Sequence, residues 1–268
     1  MRKVRNFIRE KKIYCGDKYL EIDIIPRTES EKLKTGIRSK KVQESMPKQK
    51  NLNDKNAKRY FTQLINSNFD QDDFHTTVTY AKENLPGSTE EAEKEVRNYI
   101  RRISNRRKKE GLSPLKYILV TEYDMDEEDK PVRIHHHIIM NGGLDRDTVE
   151  ELWRKPKRKG QKQGDKIGYA NTTRLQPNEY GLEAIARYLT KSKKKGKKRW
   201  SCSQNLIKPW SRSNDHKYSR RMVEKIAKNE VNNPDFWKKQ YPGYQLTECH
   251  PEYNDFTGWS LYLKLRKE

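Results

Sequence analysis

Long apolar runs and paired cysteines are both missing from this sequence. No stretch approaches the roughly 18 consecutive apolar residues of a membrane-spanning helix, and only 32% of the residues are hydrophobic. The residues after Met1, RKVRNFIREKK, lack the apolar core of a secretory signal. The three cysteines, Cys15, Cys202 and Cys249, are far apart and form no CxxC pair. These absences argue against a transmembrane protein, a secreted disulfide framework and a cysteine zinc site, and they predict a cytoplasmic location.

Negative charge is scarce relative to positive charge. The sequence has 59 Lys and Arg against 38 Asp and Glu, which gives a formal net charge of +21 at pH 7. Basic side chains that neutralise phosphates release condensed counterions, so this charge favours nucleic acid as the partner over an acidic protein or a membrane surface. We expect no membrane partner. The sequence also lacks a GxxxxGK[ST] loop, which argues against a nucleotide-driven motor.

The basic residues are concentrated in two runs. Residues 154–166 contain seven Lys and Arg, and residues 187–199 contain eight. One such run can equally be a solvated loop, but here the two runs flank a candidate catalytic tyrosine. The predicted DNA-binding residues are Lys155, Lys157, Arg158, Arg187, Lys193, Lys194, Lys195, Lys197, Lys198 and Arg199.

Hydrophobic patterning predicts an α+β fold. Strands are predicted at 19–26, 74–80, 115–123 and 132–140, with two more near the C-terminus joined by a loop at 254–258. Helices are predicted at 53–69, 88–109, 145–153, 178–190 and 219–229. The order of the elements suits an antiparallel sheet with helices packed on one face. We expect an N-terminal strand and basic linker over 1–50, a main domain over 51–228, and a C-terminal hairpin over 229–268 that packs on the main domain.

Three consecutive histidines lie inside a predicted strand. Residues two apart on a strand share a face, so His135 and His137 point to one side and His136 to the other. Glu122 ends the preceding predicted strand, and antiparallel pairing could bring its carboxylate near the two imidazoles. Two histidines and one carboxylate leave coordination positions open, as in a catalytic metal site. The alternatives are surface histidines without a role and a glutamate that only ends a strand.

Tyr188 lies on the flank of an apolar helical stripe, and Lys191 falls on the same side three residues later. A phenol is a weak nucleophile unless its environment stabilises the phenolate, which a nearby ammonium and a metal-polarised phosphate would do. A tyrosine at an ordinary helix interface is the alternative. Tyr180, predicted on the same helix, is the rival candidate.

Taken together, FHTTVTY (residues 74–80), RIHHHII (133–139) and YLTK (188–191) resemble the three motifs of rolling-circle replication initiators. These proteins are the His-hydrophobe-His (HUH) endonucleases of small plasmids and phages. The filamentous-phage gene II type and its Gram-positive plasmid counterparts are the relatives it resembles most. The resemblance covers roughly residues 70–210.

The resemblance implies a role for each matching residue. His135, His137 and Glu122 would bind Mg²⁺ or Mn²⁺, Tyr188 would be the nucleophile, and Lys191 would assist it. It also implies a central five-stranded antiparallel sheet with flanking helices, and it makes residues 51–228 the nicking domain. This sequence departs from the family at His136, where a bulky hydrophobe is usual. It also has no tyrosine four residues from Tyr188, which points to a one-tyrosine enzyme.

The implied activity is site-specific nicking and rejoining of single-stranded DNA through a 5′-phosphotyrosine, which initiates rolling-circle replication. The implied partners are single-stranded or hairpin origin DNA, a host helicase and a polymerase. A mobilisation relaxase or a single-tyrosine transposase would use the same chemistry. In relaxases the tyrosine precedes the histidines, whereas here it follows them. A non-catalytic basic nucleic-acid-binding protein explains the charge but not the set of His135, His137 and Tyr188.

Overall fold

The computed structural model describes residues 6–29, 47–125, 127, 131–191 and 200–268. These residues form an α+β fold with two five-stranded antiparallel sheets. The elements are β1 (Asn6–Cys15), β2 (Tyr19–Thr28), α1 (Pro47–Asn66), β3 (Phe74–Thr79), α2 (Thr89–Lys109), β4 (Tyr117–Met125), β5 (Pro131–Met140), α3 (Arg146–Glu151), β6 (Ala170–Arg174), α4 (Glu183–Leu189), β7 (Ser201–Cys202), β8 (Trp210–Asn214), α5 (Arg220–Asn229), α6 (Pro234–Gln240), β9 (Tyr244–Asn254) and β10 (Gly258–Lys267).

The chain divides into two compact units. The first comprises the described residues up to Ser67, Asn178–Gly181 and Ile207–Glu268, and the second comprises Asn68–Pro177 and the described residues of Leu182–Leu206. Within the described part of the chain, no helix has both the length and the apolar character needed to cross a membrane.

The first unit is built on a sheet with the strand order β8-β1-β2-β10-β9. Alternate residues of β2 and β10 are cross-strand partners that point into one core: Leu20 with Leu265, Ile22 with Leu263, and Ile24 with Leu261. Val223 of α5 and Trp237 of α6 belong to the same core cluster. The period-two pattern of the strands therefore gives this sheet an apolar face, which the two helices cover.

The second unit is built on a sheet with the order β6-β3-β5-β4-β7, so that β5 lies at its centre. Helix α2 begins after Ser88, whose side-chain oxygen accepts a hydrogen bond from the backbone N–H of Glu91 at 3.2 Å. This is the helix start that the sequence predicts. The helix buries Tyr99 and Ile103 in a core cluster with Ile138 of β5, and so covers one face of the sheet.

The α+β class and the five-stranded antiparallel sheet are confirmed, but the sequence patterns do not predict a second sheet. β1 is not among the predicted strands, and the C-terminal strands pair with β2 in the first unit. The units therefore do not follow the predicted boundaries: residues 229–268 group with the N-terminal strands rather than with residues 68–177. The cause is hydrogen bonding between segments more than 200 residues apart, which local periodicity cannot reveal. Most of the predicted linker, residues 30–46, lies outside the described residues.

Candidate metal centre and nucleophile

His135 and His137 lie on the same face of β5, as their spacing predicts. The register of β4 and β5 places Glu122 directly opposite His135, and Val120 opposite His137. His135 Nε2 is 3.1 Å from Glu122 Oε2, and His137 Nε2 is 3.8 Å from the same oxygen. One ligand atom from each of the three residues lies within 4.8 Å of the others. Glu122, His135 and His137 therefore form a group that could hold a metal ion, here called the three-ligand group.

The two ring nitrogens of His137 have different surroundings. Nδ1 is 3.1 Å from Thr77 Oγ1 and 3.1 Å from His75 Nε2. Nε2 is buried and has no hydrogen-bond partner among the residues that the structure describes. With the proton on Nδ1, where Thr77 or His75 can accept it, the lone pair lies on Nε2 and faces the Glu122 carboxylate. A buried unpartnered nitrogen is costly in a protein without a ligand, and a metal ion would satisfy it.

Burial also favours the form of His137 that binds metals. Desolvation, together with the neighbouring His75 and His135, lowers the pKa of His137 from 6.5 to about 3. Its imidazole is therefore neutral at physiological pH, which is the form that coordinates a cation. Burial likewise lowers the pKa of His75. The donor set of two imidazoles and one carboxylate fits a divalent cation with positions left open for water or substrate.

His136 lies on the opposite face of β5 and belongs to the packed interior. It is fully buried. Its Nδ1 is 2.8 Å from Thr121 Oγ1, and its Nε2 is 2.9 Å from the hydroxyl of Tyr80. Both ring nitrogens therefore have protein partners, which explains how a histidine is accommodated where the resembling family has a hydrophobe.

Tyr188 of α4 lies against the three-ligand group. Its ring is 5.5 Å from the ring of His137, centre to centre, at an interplanar angle of 83°. The side chain is 54% exposed, so the phenol is accessible to a substrate. Lys191 follows the helix, where its backbone N–H donates to the carbonyl of Tyr188 at 3.2 Å. Neighbouring Arg187 is exposed and forms an ion pair with Glu183 one helical turn earlier.

The predicted helix over 178–190 is wrong at its start, because α4 begins only at Glu183. Tyr180 lies in a tight turn in which Asn178 and Gly181 exchange backbone hydrogen bonds. Gly181 has a φ of 67°, a left-handed conformation that glycine tolerates and that precedes the helix. Tyr180 is grouped with the first unit, and its ring contacts Lys264 there, with 5.6 Å between Nζ and the ring centre.

The predicted DNA-binding residues are only partly visible. Lys155, Lys157 and Arg158 are exposed in the loop between α3 and β6. Lys193, Lys194, Lys195, Lys197, Lys198 and Arg199 lie outside the described residues. DNA contact by either set stays a prediction.

Sequence reasoning missed His75 and Thr77, which both touch His137. They belong to β3, the neighbour of β5, and Thr77 is the cross-strand partner of His137. Their alternation along FHTTVTY places them on one face of a strand, but only the register shows that this is the face of His135 and His137.

One comparison with known proteins finds a match. Residues 73–195 match the family model of the replication-associated proteins named for ORF2 and the gene II protein. This segment contains His75, Glu122, His135, His137 and Tyr188, so the chain is similar to these replication-associated proteins over the part that carries the candidate site. No curated protein and no solved structure matched.

Proposed function

We propose that this chain is a metal-dependent DNA nicking and joining enzyme that initiates rolling-circle replication. The observation that carries the proposal is the position of Tyr188, whose accessible ring lies against His137 of the three-ligand group. A phenol beside a cation site has the two components of tyrosine transesterification, a nucleophile and a place for the scissile phosphate. The match to replication-associated proteins over 73–195 supports replication as the process.

The residues of the three-ligand group fit a divalent cation because His137 Nε2 is otherwise left without a hydrogen-bond partner in the described structure. Mg²⁺ or Mn²⁺ held by His135, His137 and Glu122 would polarise the phosphate and offset the charge that develops on its oxygens. Thr77 and His75 contact the far side of the His137 ring and so hold it in the orientation that presents Nε2.

In the proposed reaction, the hydroxyl oxygen of Tyr188 attacks the phosphorus of one phosphodiester. A bond forms between that oxygen and phosphorus, and the bond from phosphorus to the 3′ oxygen breaks. The phenolic proton is lost to solvent, and the departing 3′ oxygen takes up a proton, so charge and atoms balance. The products are a 5′-phosphotyrosine and a free 3′-OH that can prime a polymerase. Lys191 assists by favouring the phenolate, and the reverse reaction rejoins the strand.

The proposed substrate is single-stranded or hairpin origin DNA in the cytoplasm. The predicted DNA-binding residues would hold its phosphates, and a host helicase and polymerase would unwind and copy the nicked replicon. A mobilisation relaxase or single-tyrosine transposase would share the chemistry. The order of the histidines and Tyr188 along the chain favours a replication initiator.

A covalent adduct tests the proposal directly. Single-stranded oligonucleotides of random sequence, labelled at the 3′ end, are incubated with the protein and Mn²⁺. Because tyrosine would retain the downstream 5′-phosphorylated fragment, the label should move with the protein in SDS gels. Chelation of the metal and Tyr188→Phe should each abolish this band.

The matched control is Tyr169→Phe, which removes the hydroxyl of another exposed tyrosine of the second unit and should leave the band intact. Tyr180→Phe should also be without effect. An adduct that persists in Tyr188→Phe would refute the assignment of the nucleophile. DNA binding by the unmodified protein without any adduct would favour the non-catalytic alternative.

A further inference from the structure

A basic groove lies in the second unit, apart from the three-ligand group. It has a volume of about 300 Å³ and is lined by residues of α2, of the end of α3 and of the loop that follows. Its charged lining residues are Arg102, Arg106, Arg154, Lys155, Lys157 and Glu151, five cations and one carboxylate. Because α2 covers the face of the sheet opposite to His135 and His137, the groove lies on that opposite side.

The loop that supplies half of the groove is folded rather than extended. Arg154 and Lys166 form a β-bridge, and the backbone N–H of Lys155 donates to the carbonyl of Asp165 at 2.9 Å. At its tip, the N–H of Gln161 donates to the carbonyl of Arg158 at 3.1 Å. The first basic run is therefore a closed hairpin-like loop, and this closure brings Lys155 and Lys157 beside the arginines of α2.

Gly164 is a structural requirement of this closure. A Cβ at position 164 would lie 1.8 Å from the carbonyl oxygen of Lys155, a distance that no side chain tolerates. The close approach lets Gly164 contribute its own carbonyl, which accepts from Arg154 Nη1 at 3.3 Å. A substitution here would disturb the position of the lysines without changing any charge.

The charges of the groove are only partly compensated. Arg102 has Glu95 within 3.2 Å, and Arg106 pairs with Glu110. Neither Lys155 nor Lys157 has a carboxylate within ion-pair distance among the described residues, and Arg154 Nε is buried there without a hydrogen-bond partner. Like charges held together at a concave surface raise the local potential, which attracts anions.

We propose that this groove binds the phosphate backbone of duplex DNA, as a contact separate from the strand that is cleaved. Sites for single strands combine basic residues with aromatic rings on which bases stack. No aromatic side chain is among the described residues that line this groove. It therefore offers charge for phosphates and no surface for unstacked bases, which suits a duplex. The inference rests on the proposed function only in its choice of DNA as the anion.

The test measures binding without cleavage, in Tyr188→Phe protein, by fluorescence anisotropy with a 3′-labelled duplex and with one of its strands. Arg106→Gln, Lys155→Gln and Lys157→Gln together should weaken duplex binding by about tenfold or more at 0.1 M salt. The slope of log affinity against log salt should fall by up to about 2.7, since each lost phosphate contact removes about 0.9. Single-strand affinity should fall less.

The matched control neutralises three exposed cations of the same unit that do not line the groove, Lys82, Lys94 and Arg97. An equal loss in this control, or an equal loss for the single strand, would overturn the proposal. So would competition by polyglutamate as effective as that by unlabelled duplex, because the groove would then be a site for acidic proteins.

Gly164→Ala separates the shape of the groove from its charge. It should lower duplex affinity by the severalfold effect of one lost phosphate contact at unchanged net charge. Unchanged affinity in a variant with a native circular dichroism spectrum would count against the proposal. If this variant does not fold, the neutralising set decides, because it alters only exposed side chains. Loss of duplex binding in that set would support the groove even if the wild-type protein forms no DNA adduct.

Discussion

Buried polar groups are treated differently in the two units. In the first unit, the carboxylates of Glu21 and Asp23 are nearly inaccessible, and Arg59 lies 2.7 Å from an oxygen of each. In the second unit, His137 is equally buried, yet its Nε2 has no hydrogen-bond partner among the described residues. Paired buried charges serve the fold, whereas a buried nitrogen left unpaired beside a carboxylate indicates a site that a ligand completes.

The largest effect should come from removing the unpaired nitrogen itself. His137→Ala should reduce metal-dependent adduct formation by about a thousandfold or more, because a catalytic cation contributes several kcal/mol to the transition state. The thermal midpoint should change little. His216→Ala, an exposed histidine of the first unit, is the control and should retain full activity. Retained adduct formation in His137→Ala would show that the metal is held elsewhere.

Breaking the paired cluster of the first unit should affect stability. Arg59→Met leaves two buried carboxylates without their cation, and the cost of the buried charges is reduced because the Arg59 side chain is 36% exposed. We expect a loss of about 2–3 kcal/mol in the free energy of unfolding, measured by urea denaturation. Lys228→Met, which breaks an exposed pair with Glu224, should cost less than about 0.5 kcal/mol. Equal losses would mean that burial does not distinguish the two pairs.

His75 should act as a positioning residue for His137. His75→Ala removes one of the two partners of His137 Nδ1, so Mn²⁺ affinity measured by electron paramagnetic resonance should fall about tenfold to a hundredfold. His75→Gln keeps a polar nitrogen near the position of Nε2 and should restore much of that affinity. A purely structural role would instead lower the thermal midpoint in both variants and leave the metal affinity of the folded protein unchanged.

The smallest effect should come from the satisfied histidine of the same strand. His136→Leu removes contacts to Thr121 and Tyr80 and restores a hydrophobe, so it should cost about 1 kcal/mol in stability. Adduct formation should remain within about twofold of the wild type, because the side chain lies on the other face of β5. Loss of the adduct without loss of folding would contradict the assignment of ligands.

Much of the second sheet could be predicted from local patterns. The strands around His75, Glu122 and His135 have short β-rich sequences, and the capping pattern at Ser88 marks the start of α2. Prediction failed where a glycine conformation or a distant strand decided the outcome. Gly181 ends the turn that contains Tyr180, and β10 pairs with β2 across almost the whole chain.

The sequence by itself determined the net charge, the two basic runs and the shared face of His135 and His137. Each of these follows from composition or from the two-residue repeat of an extended chain. Only the tertiary structure decided that Glu122 faces His135, that Tyr188 lies against His137, and that Lys155 meets Arg106 in a groove. These contacts join different elements through strand register and packing, and a shift of one residue in register would turn each strand side chain to the other face.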